Sequence, residues 1–227
     1  MIFTLRKLCE GFPEGLAGLM KAPSNKSLYS CLILAFFCSS IYGMSVGLWR
    51  SPLQSFYVAM KFPLLILMTT AGNALINGML AQVFGTKLTF KESLIAVLMS
   101  FTIASIILVS FAPLMIYLVW NCPPVSDANE AISHNMLLLF NVLAIAFAGT
   151  VSNLHLFRLI LHLTGSIHQS RQIIFSWLAV NLLLGSQLSW IMRPFIGDPA
   201  GNVEFIRANA LSGSFFEAVF HSFSALL

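Results

Sequence analysis

Hydrophobic residues occupy five long and nearly uninterrupted runs along this chain. The runs cover residues 28–48, 55–84, 93–120, 135–157 and 172–192. An α-helix needs about 20 apolar residues to cross the hydrocarbon core of a bilayer, and each run meets that length. The pattern therefore predicts an all-α fold, a polytopic helical membrane bundle of about five transmembrane helices.

The second and third runs are longer than a bilayer requires, and each contains a proline, Pro63 or Pro113. Proline removes one backbone hydrogen bond from a helix and favours a bend. We therefore expect these two helices to tilt, to bend or to extend beyond the hydrocarbon.

Both ends of the chain mix apolar and charged residues. Residues 2–20 distribute them roughly as an amphipathic helix does, although Gly11 and Pro13 argue against one continuous helix. Residues 205–227 favour a helix lying on the outer membrane surface over a sixth span. The predicted organisation is an interfacial segment at 1–27, a five-helix membrane domain at 28–192, and an outer loop with an amphipathic C-terminal helix at 193–227.

The composition is typical of a protein with a lipid-facing exterior. Hydrophobic residues make up 58% of the chain and charged residues 9%, whereas roughly a quarter of the residues of a soluble domain are charged. So few charges could not cover the surface of a soluble fold. The net charge of +4 does not indicate a nucleic acid partner, because the basic residues are spread over short loops.

Lys and Arg residues collect on alternate connections between the runs. They precede the first run, join the second to the third, and join the fourth to the fifth, whereas residues 121–133 contain none. Cytoplasmic loops of membrane proteins are enriched in these residues. We therefore expect the N-terminus to lie in the cytoplasm.

Lys61 is the most informative single residue, because a cation at bilayer depth is costly and is seldom kept without a partner. Two interpretations are open: its side chain snorkels to the outer interface, or it lies near the midplane. In both cases the turn at Pro63 would expose backbone carbonyls that could accept from the ammonium. The functional hypothesis is that Lys61 binds an anionic lipid headgroup or solute.

Amide side chains interrupt the second and fifth runs. Such groups most often hydrogen-bond between helices, and the alternative is that they line a polar path for a solute. The candidate binding residues are Lys61, Asn73, Asn77, Asn181, Gln187 and Arg193.

His155, Arg158 and His162 fall on one helix face at the inner end of the fourth run. We interpret this inner-face basic patch as an interfacial anchor, with a contact to anionic lipid heads or a pH-sensitive contact as the alternative. No acidic residue or cysteine accompanies the histidines at metal-ligand spacing. We therefore expect no metal ion and no other cofactor.

Residues 43–47 match the letters G-x-S-x-G. In hydrolases that motif connects a strand to a helix through a sharp turn, whereas here the five residues end an apolar helix. No other catalytic motif is present, so we expect no enzymatic activity. Membrane enzymes, including a serine protease with His134 as the partner of the serine, are the least favoured class.

Two motifs carry a resemblance to known proteins: Lys61-Phe62-Pro63-Leu64-Leu65 in the second run and Arg193-Pro194-Phe195-Ile196-Gly197 after the fifth. In this K-x-P-L-L helix and R-P-F-x-G outer loop the chain resembles a group of uncharacterised bacterial multi-pass membrane proteins, loosely similar to the Yip1 membrane-trafficking fold. The resemblance covers most of residues 40–227. It implies about five spans in the bacterial cytoplasmic (inner) membrane, and it carries over no catalytic residue.

Two functions fit these observations. The first is a non-enzymatic subunit or scaffold of a membrane complex, whose partners are membrane lipids and other membrane-protein subunits or further copies of the chain. The second is an oligomeric channel or small-solute transporter in which Lys61 and the intramembrane amides line the path.

Overall fold

The computed structural model describes residues 2–21, 25–85, 88–123, 130–197 and 202–217. These ranges contain seven helices of nine residues or more and no strand. In chain order the helices are α1 (Ile2–Glu10), α2 (Pro13–Lys21), α3 (Asn25–Gly47), α4 (Pro52–Val83), α5 (Phe90–Asn121), α6 (Glu130–Thr164) and α7 (Ile167–Ile191). The prediction of an all-α helical bundle is confirmed.

Helices α3 to α7 are each long and apolar enough to cross a membrane. The chain is therefore a multi-pass integral membrane protein with five such helices in its described part. Helices α4 and α5 each have 32 residues and continue past Pro63 and Pro113, so both exceed the bilayer thickness as predicted. Helix α6 has 35 residues and extends beyond the predicted run at both ends.

Local capping explains where three of the long helices begin. The side chain of Ser51 accepts a hydrogen bond from the backbone N–H of Gln54 at the start of α4, and Ser166 does the same for Gln169 in α7. Thr89 and Glu92 form a reciprocal capping box at the start of α5. Each cap satisfies backbone N–H groups that a helix leaves unpaired in its first turn.

Three chain segments meet at one end of the bundle, which we call the outer end after its predicted orientation. The indole Nε1 of Trp49, between α3 and α4, donates to the carbonyl of Pro123 after α5 at 3.1 Å. A Cβ atom on Gly197, after α7, would lie 2.7 Å from Arg50. The opposite end, which holds α1, α2 and the α6–α7 turn, is the inner end.

The N-terminal segment forms two short helices rather than one. The chain turns between α1 and α2 at Gly11, which adopts a left-handed φ of 64° that L-residues disfavour. Leu8, Leu16 and Met20 are buried in the inner half of the core. The predicted break is therefore confirmed, and the interfacial location of residues 1–27 stays a prediction.

The five long helices are buried to very different extents. Of the most apolar 18 residues of each helix, 56% are buried in α5 and 50% in α3, but 28% in α6 and 11% in α7. Helices α3, α4 and α5 thus form the centre of the bundle. Helix α7 lies at its edge.

The segment after α7 departs from the expected helix at its start. Residues 202–214 form coil and turns, and residues 215–217 are helical. The helix predicted for 205–227 therefore does not begin at Phe205, because the glycine and serines at 212–214 interrupt it. Residues 218–227, on which most of that prediction rests, lie outside the described ranges, as do 198–201.

Candidate functional site

The segment 193–197 enters the outer end of the bundle and is fixed there by α4. The side-chain amide of Gln54 donates to the carbonyls of Pro194 and Phe195, both at 3.0 Å. Lys61 Nζ donates to the same Pro194 carbonyl at 2.7 Å. Gln54 and Lys61 are seven residues apart and so lie on one face of α4.

Lys61 is completely buried, with 0% of its surface exposed. Its ammonium lies 5.9 Å from the ring centre of Phe195 and 5.4 Å from that of Phe205. Aromatic faces and a carbonyl oxygen both stabilise a cation that has lost its water. The sequence predicts that carbonyls exposed at the Pro63 turn could accept from this ammonium. The structure instead supplies the carbonyl of Pro194, because segment 193–197 brings its backbone to Lys61.

Aromatic stacking connects this segment to three helices. The Phe195 ring packs edge-to-face on Phe62 with centroids 5.4 Å apart, and Phe62 packs on Tyr42 in the same way at 5.5 Å. The Tyr42 hydroxyl then donates to Asn141 Oδ1 at 2.9 Å. Segment 193–197 is therefore coupled to α3, α4 and α6 through directly contacting side chains.

A cleft of about 540 Å³ lies between segment 193–197 and the outer half of α6. We call it the outer cleft. Its lining combines basic, amide and apolar side chains and contains no carboxylate from the described residues. The lining residues are His134, Asn135, Leu138, Asn141, Arg193, Pro194, Phe195, Ile196, Gly197 and Arg207.

Two arginines of the cleft share one aromatic ring. The Arg193 guanidinium carbon lies 3.1 Å from the ring centre of Trp190, and that of Arg207 lies 5.7 Å away. Burial, and secondarily the charge of Arg207, lower the pKa of Arg193 from its ordinary value. Arg207 Nε is buried without a hydrogen-bond partner in the described part of the chain.

The candidate amides of α4 and α7 do not line this cleft. Asn73 Nδ2 donates to Asn181 Oδ1 and so joins α4 to α7. Trp177 Nε1 donates to the backbone carbonyl of Asn77 at 3.2 Å, and Gln187 Oε1 accepts from the backbone N–H of Phe215 at 3.3 Å. Asn73, Asn181 and Gln187 therefore act in contacts between elements, and they do not gather around Lys61.

The inner-face basic patch divides in two. His155 is half-buried, and its Nδ1 lies 2.8 Å from the carbonyl of Val151. Gly11 lies against the imidazole so closely that a Cβ there would be 2.1 Å from the ring. Arg158 and His162 are exposed. His155 is thus a packing contact for the α1–α2 turn, and the other two residues remain available to lipid heads.

The G-x-S-x-G pentad lies at the contact between α3 and α4. Ser45 is buried and donates to the carbonyl of Tyr42 at 2.6 Å. A Cβ on Gly43 would lie 2.6 Å from the Val58 carbonyl oxygen, and one on Gly47 would lie 2.7 Å from that of Gln54. These glycines let the two helix backbones approach closely. Among the described residues, no three His, Cys, Asp or Glu side chains are grouped as a metal site.

Gln54, Asn141 and Arg207 are not among the candidate residues of the sequence analysis, although Gln54 and Asn141 are polar residues in or beside an apolar run and Arg207 is a cation in the partly apolar C-terminal segment. Lys61 and Arg193 are among the candidate binding residues, but nothing in their spacing indicates that segment 193–197 contacts Lys61. Comparisons with protein-family models, with curated proteins and with solved structures find no match to this chain. The site is therefore interpreted from its own geometry, and the resemblance drawn from the two motifs stays a prediction.

Proposed function

We propose that this integral membrane protein is a non-enzymatic subunit of a membrane complex, and that it docks a second membrane-protein subunit along α7. The observation that carries the proposal is the low burial of α7, 11% against 56% in α5. A helix this exposed contributes little to the core of its own bundle. Its free face is available to another protein.

Exposure to lipid alone would also satisfy an apolar helix, so the composition of the free face is the second argument. Ala179 and Ser186 are two turns apart and both small, with the exposed Leu182 and Leu183 between them. Small residues let a partner helix approach closely, and leucines beside them supply packing contacts. Contact with lipid alone does not require small residues on either side of the leucines.

The contacts of α7 with its own bundle support a docking role. The Asn73–Asn181 hydrogen bond and the Trp177 contact to Asn77 tie one side of α7 to α4. A helix held on one side presents its other side in a fixed orientation, which lowers the entropic cost of association.

The channel or transporter hypothesis receives less support. It requires Lys61 and the amides to line a common path, but Lys61 donates to Pro194 and Asn73 donates to Asn181. We therefore retain it only as the alternative outcome of the test below.

The test uses photo-crosslinking in the native membrane. A photoreactive amino acid replaces Leu182 on α7 or, as a matched control, Met79 on α4; the two side chains are 64% and 61% exposed. We expect a discrete protein adduct from position 182 and only lipid adducts from position 79. The same partner should remain bound after purification in mild detergent and be lost in Leu182→Trp.

Lipid adducts alone at position 182, together with a monomer in mild detergent, would overturn the proposal. An adduct to a second copy of the chain, combined with solute flux after reconstitution, would favour the channel instead. The control variant Met79→Trp should leave the purified complex unchanged.

A further inference from the structure

Two like charges are held together at the outer end by one indole ring. Arg193 stacks on Trp190 with its guanidinium carbon 3.1 Å from the ring centre, and Arg207 approaches the same ring to 5.7 Å. Stacking stabilises each guanidinium, but it does not remove the repulsion between them. Such a pair is stabilised by an anion that contacts both groups.

No described carboxylate supplies that anion. The ion pair between Arg6 and Glu10 lies at the inner end, away from the cleft. Within the described ranges, the Arg193 guanidinium makes one hydrogen bond, from Nε to the carbonyl of Trp190 at 3.4 Å, and Arg207 Nε makes none. Most of the donors of the two guanidinium groups are therefore not used by the described residues.

Further polar groups converge on the same space. Asn141 Oδ1 accepts from Tyr42, which leaves its Nδ2 as a donor, and Asn135 and His134 line the cleft about two turns away on α6. Lys61 adds a buried positive charge behind segment 193–197. The described residues thus make the electrostatic potential in the outer cleft positive.

The remaining wall is apolar. Leu138, Phe195 and Ile196 line the cleft beside the basic groups. The volume of about 540 Å³ falls in the range of small-molecule sites. A charged group with an attached organic portion would match both kinds of wall.

We propose that the outer cleft binds a phosphate group, held by the Arg193 and Arg207 guanidinium groups. Forked guanidinium donors match the oxygens of a phosphate and bind them by charge-assisted hydrogen bonds. The phosphate belongs either to an acidic phospholipid or to a soluble phosphate ester. This site does not depend on the α7 docking surface, since none of the residues that line the cleft is one of the α7 positions tested above.

The test measures both sources with the full-length protein. In one arm, protein from nanodiscs containing phosphatidylglycerol and phosphatidylcholine is analysed by native mass spectrometry for retained lipid. In the other arm, protein in phosphatidylcholine nanodiscs is titrated with inorganic phosphate or glycerol phosphate while its thermal unfolding is followed. Retention of phosphatidylglycerol assigns a lipid headgroup, and a rise in Tm with soluble phosphate assigns a soluble ester.

Arg207→Gln is the decisive variant, because Arg207 is the less engaged of the two arginines. We expect binding in the productive arm to weaken about tenfold, the loss of roughly one charge-assisted hydrogen bond. Without ligand, this variant should unfold at the same temperature as the unsubstituted protein or higher, since a like-charge repulsion is removed. Arg171→Gln, at an exposed position near the inner end of α7, should leave binding unchanged.

Three results would overturn the proposal. The first is that neither phosphatidylglycerol nor soluble phosphate binds in preference to phosphatidylcholine. The second is that Arg207→Gln and Arg171→Gln weaken binding equally. The third is that Arg207→Gln lowers the unfolding temperature in the absence of ligand, which would show that Arg207 serves the fold.

Discussion

Lys61 is a buried cation with a structural partner, which changes the meaning of its position in an apolar helix. The ammonium donates to the carbonyl of Pro194 at 2.7 Å and lies 5.4 Å from the ring centre of Phe205. Breaking such a contact removes a charge-assisted hydrogen bond and leaves a cavity. At this scale the residue stabilises segment 193–197.

We predict that Lys61→Ala lowers the free energy of unfolding by about 2 kcal/mol, the scale of one hydrogen bond to a charged group with some loss of packing. Lys61→Met should cost less, because methionine restores much of the volume and needs no buried charge. Denaturant titration in mixed micelles measures both. Lys26→Ala, at an exposed site, serves as the control, and an equal effect there would refute the assignment.

The packing of α3 on α4 is the element-scale feature that depends most on single residues. Gly43 and Gly47 place the α3 backbone directly against the carbonyls of Val58 and Gln54. Because the nearest opposing atoms belong to the backbone, no flexible side chain can move aside to make room for a Cβ atom. The glycines therefore set the distance between two helices at the centre of the bundle.

Gly43→Ala is expected to force α3 away from α4 and to destabilise the protein by about 2 kcal/mol or more, within the range for overpacked sites. Gly149→Ala in α6 is the matched control, because a Cβ there would meet nothing within 4 Å. That variant should be neutral or slightly stabilising, since alanine favours helix. Thermal unfolding of the two variants under the same conditions tests this prediction. Similar shifts in Tm would contradict the close approach of α3 to α4.

At the scale of the whole molecule, the five long helices and the distribution of Lys and Arg predict an orientation in the membrane. The outer end gathers the α3–α4 connection and segment 193–197, and the inner end carries α1, α2 and the α6–α7 turn. We expect the inner end to face the cytoplasm.

Truncated fusions test this orientation. Green fluorescent protein fused after Gly165 should fluoresce, and fused after Asn129 it should not, because it folds poorly when exported. Alkaline phosphatase fusions at the same two sites should give the reverse. If the green fluorescent protein fusion after Asn129 fluoresced and the fusion after Gly165 did not, the N-terminus would lie outside.

At the scale of the whole molecule, features that depend on local sequence could be predicted, and features that depend on long-range contacts could not. The helical class and five long apolar helices followed from the sequence, because the thickness of a bilayer sets a local requirement that each run meets by itself. The break at Gly11 and the lengths of α4 and α5 were also readable, since they depend on neighbouring residues.

The contacts of the candidate site could not be predicted from the sequence. Lys61 and its partner Pro194 are 133 positions apart, and Asn73 and Asn181 are 108 apart, so no local pattern connects them. The sequence by itself determined that Lys61 would need a partner if it were buried, because burying a charge is costly in any fold. Only the tertiary structure decided that a backbone carbonyl meets that need and that Arg193 and Arg207 converge on the outer cleft, because both depend on how segment 193–197 returns into the bundle.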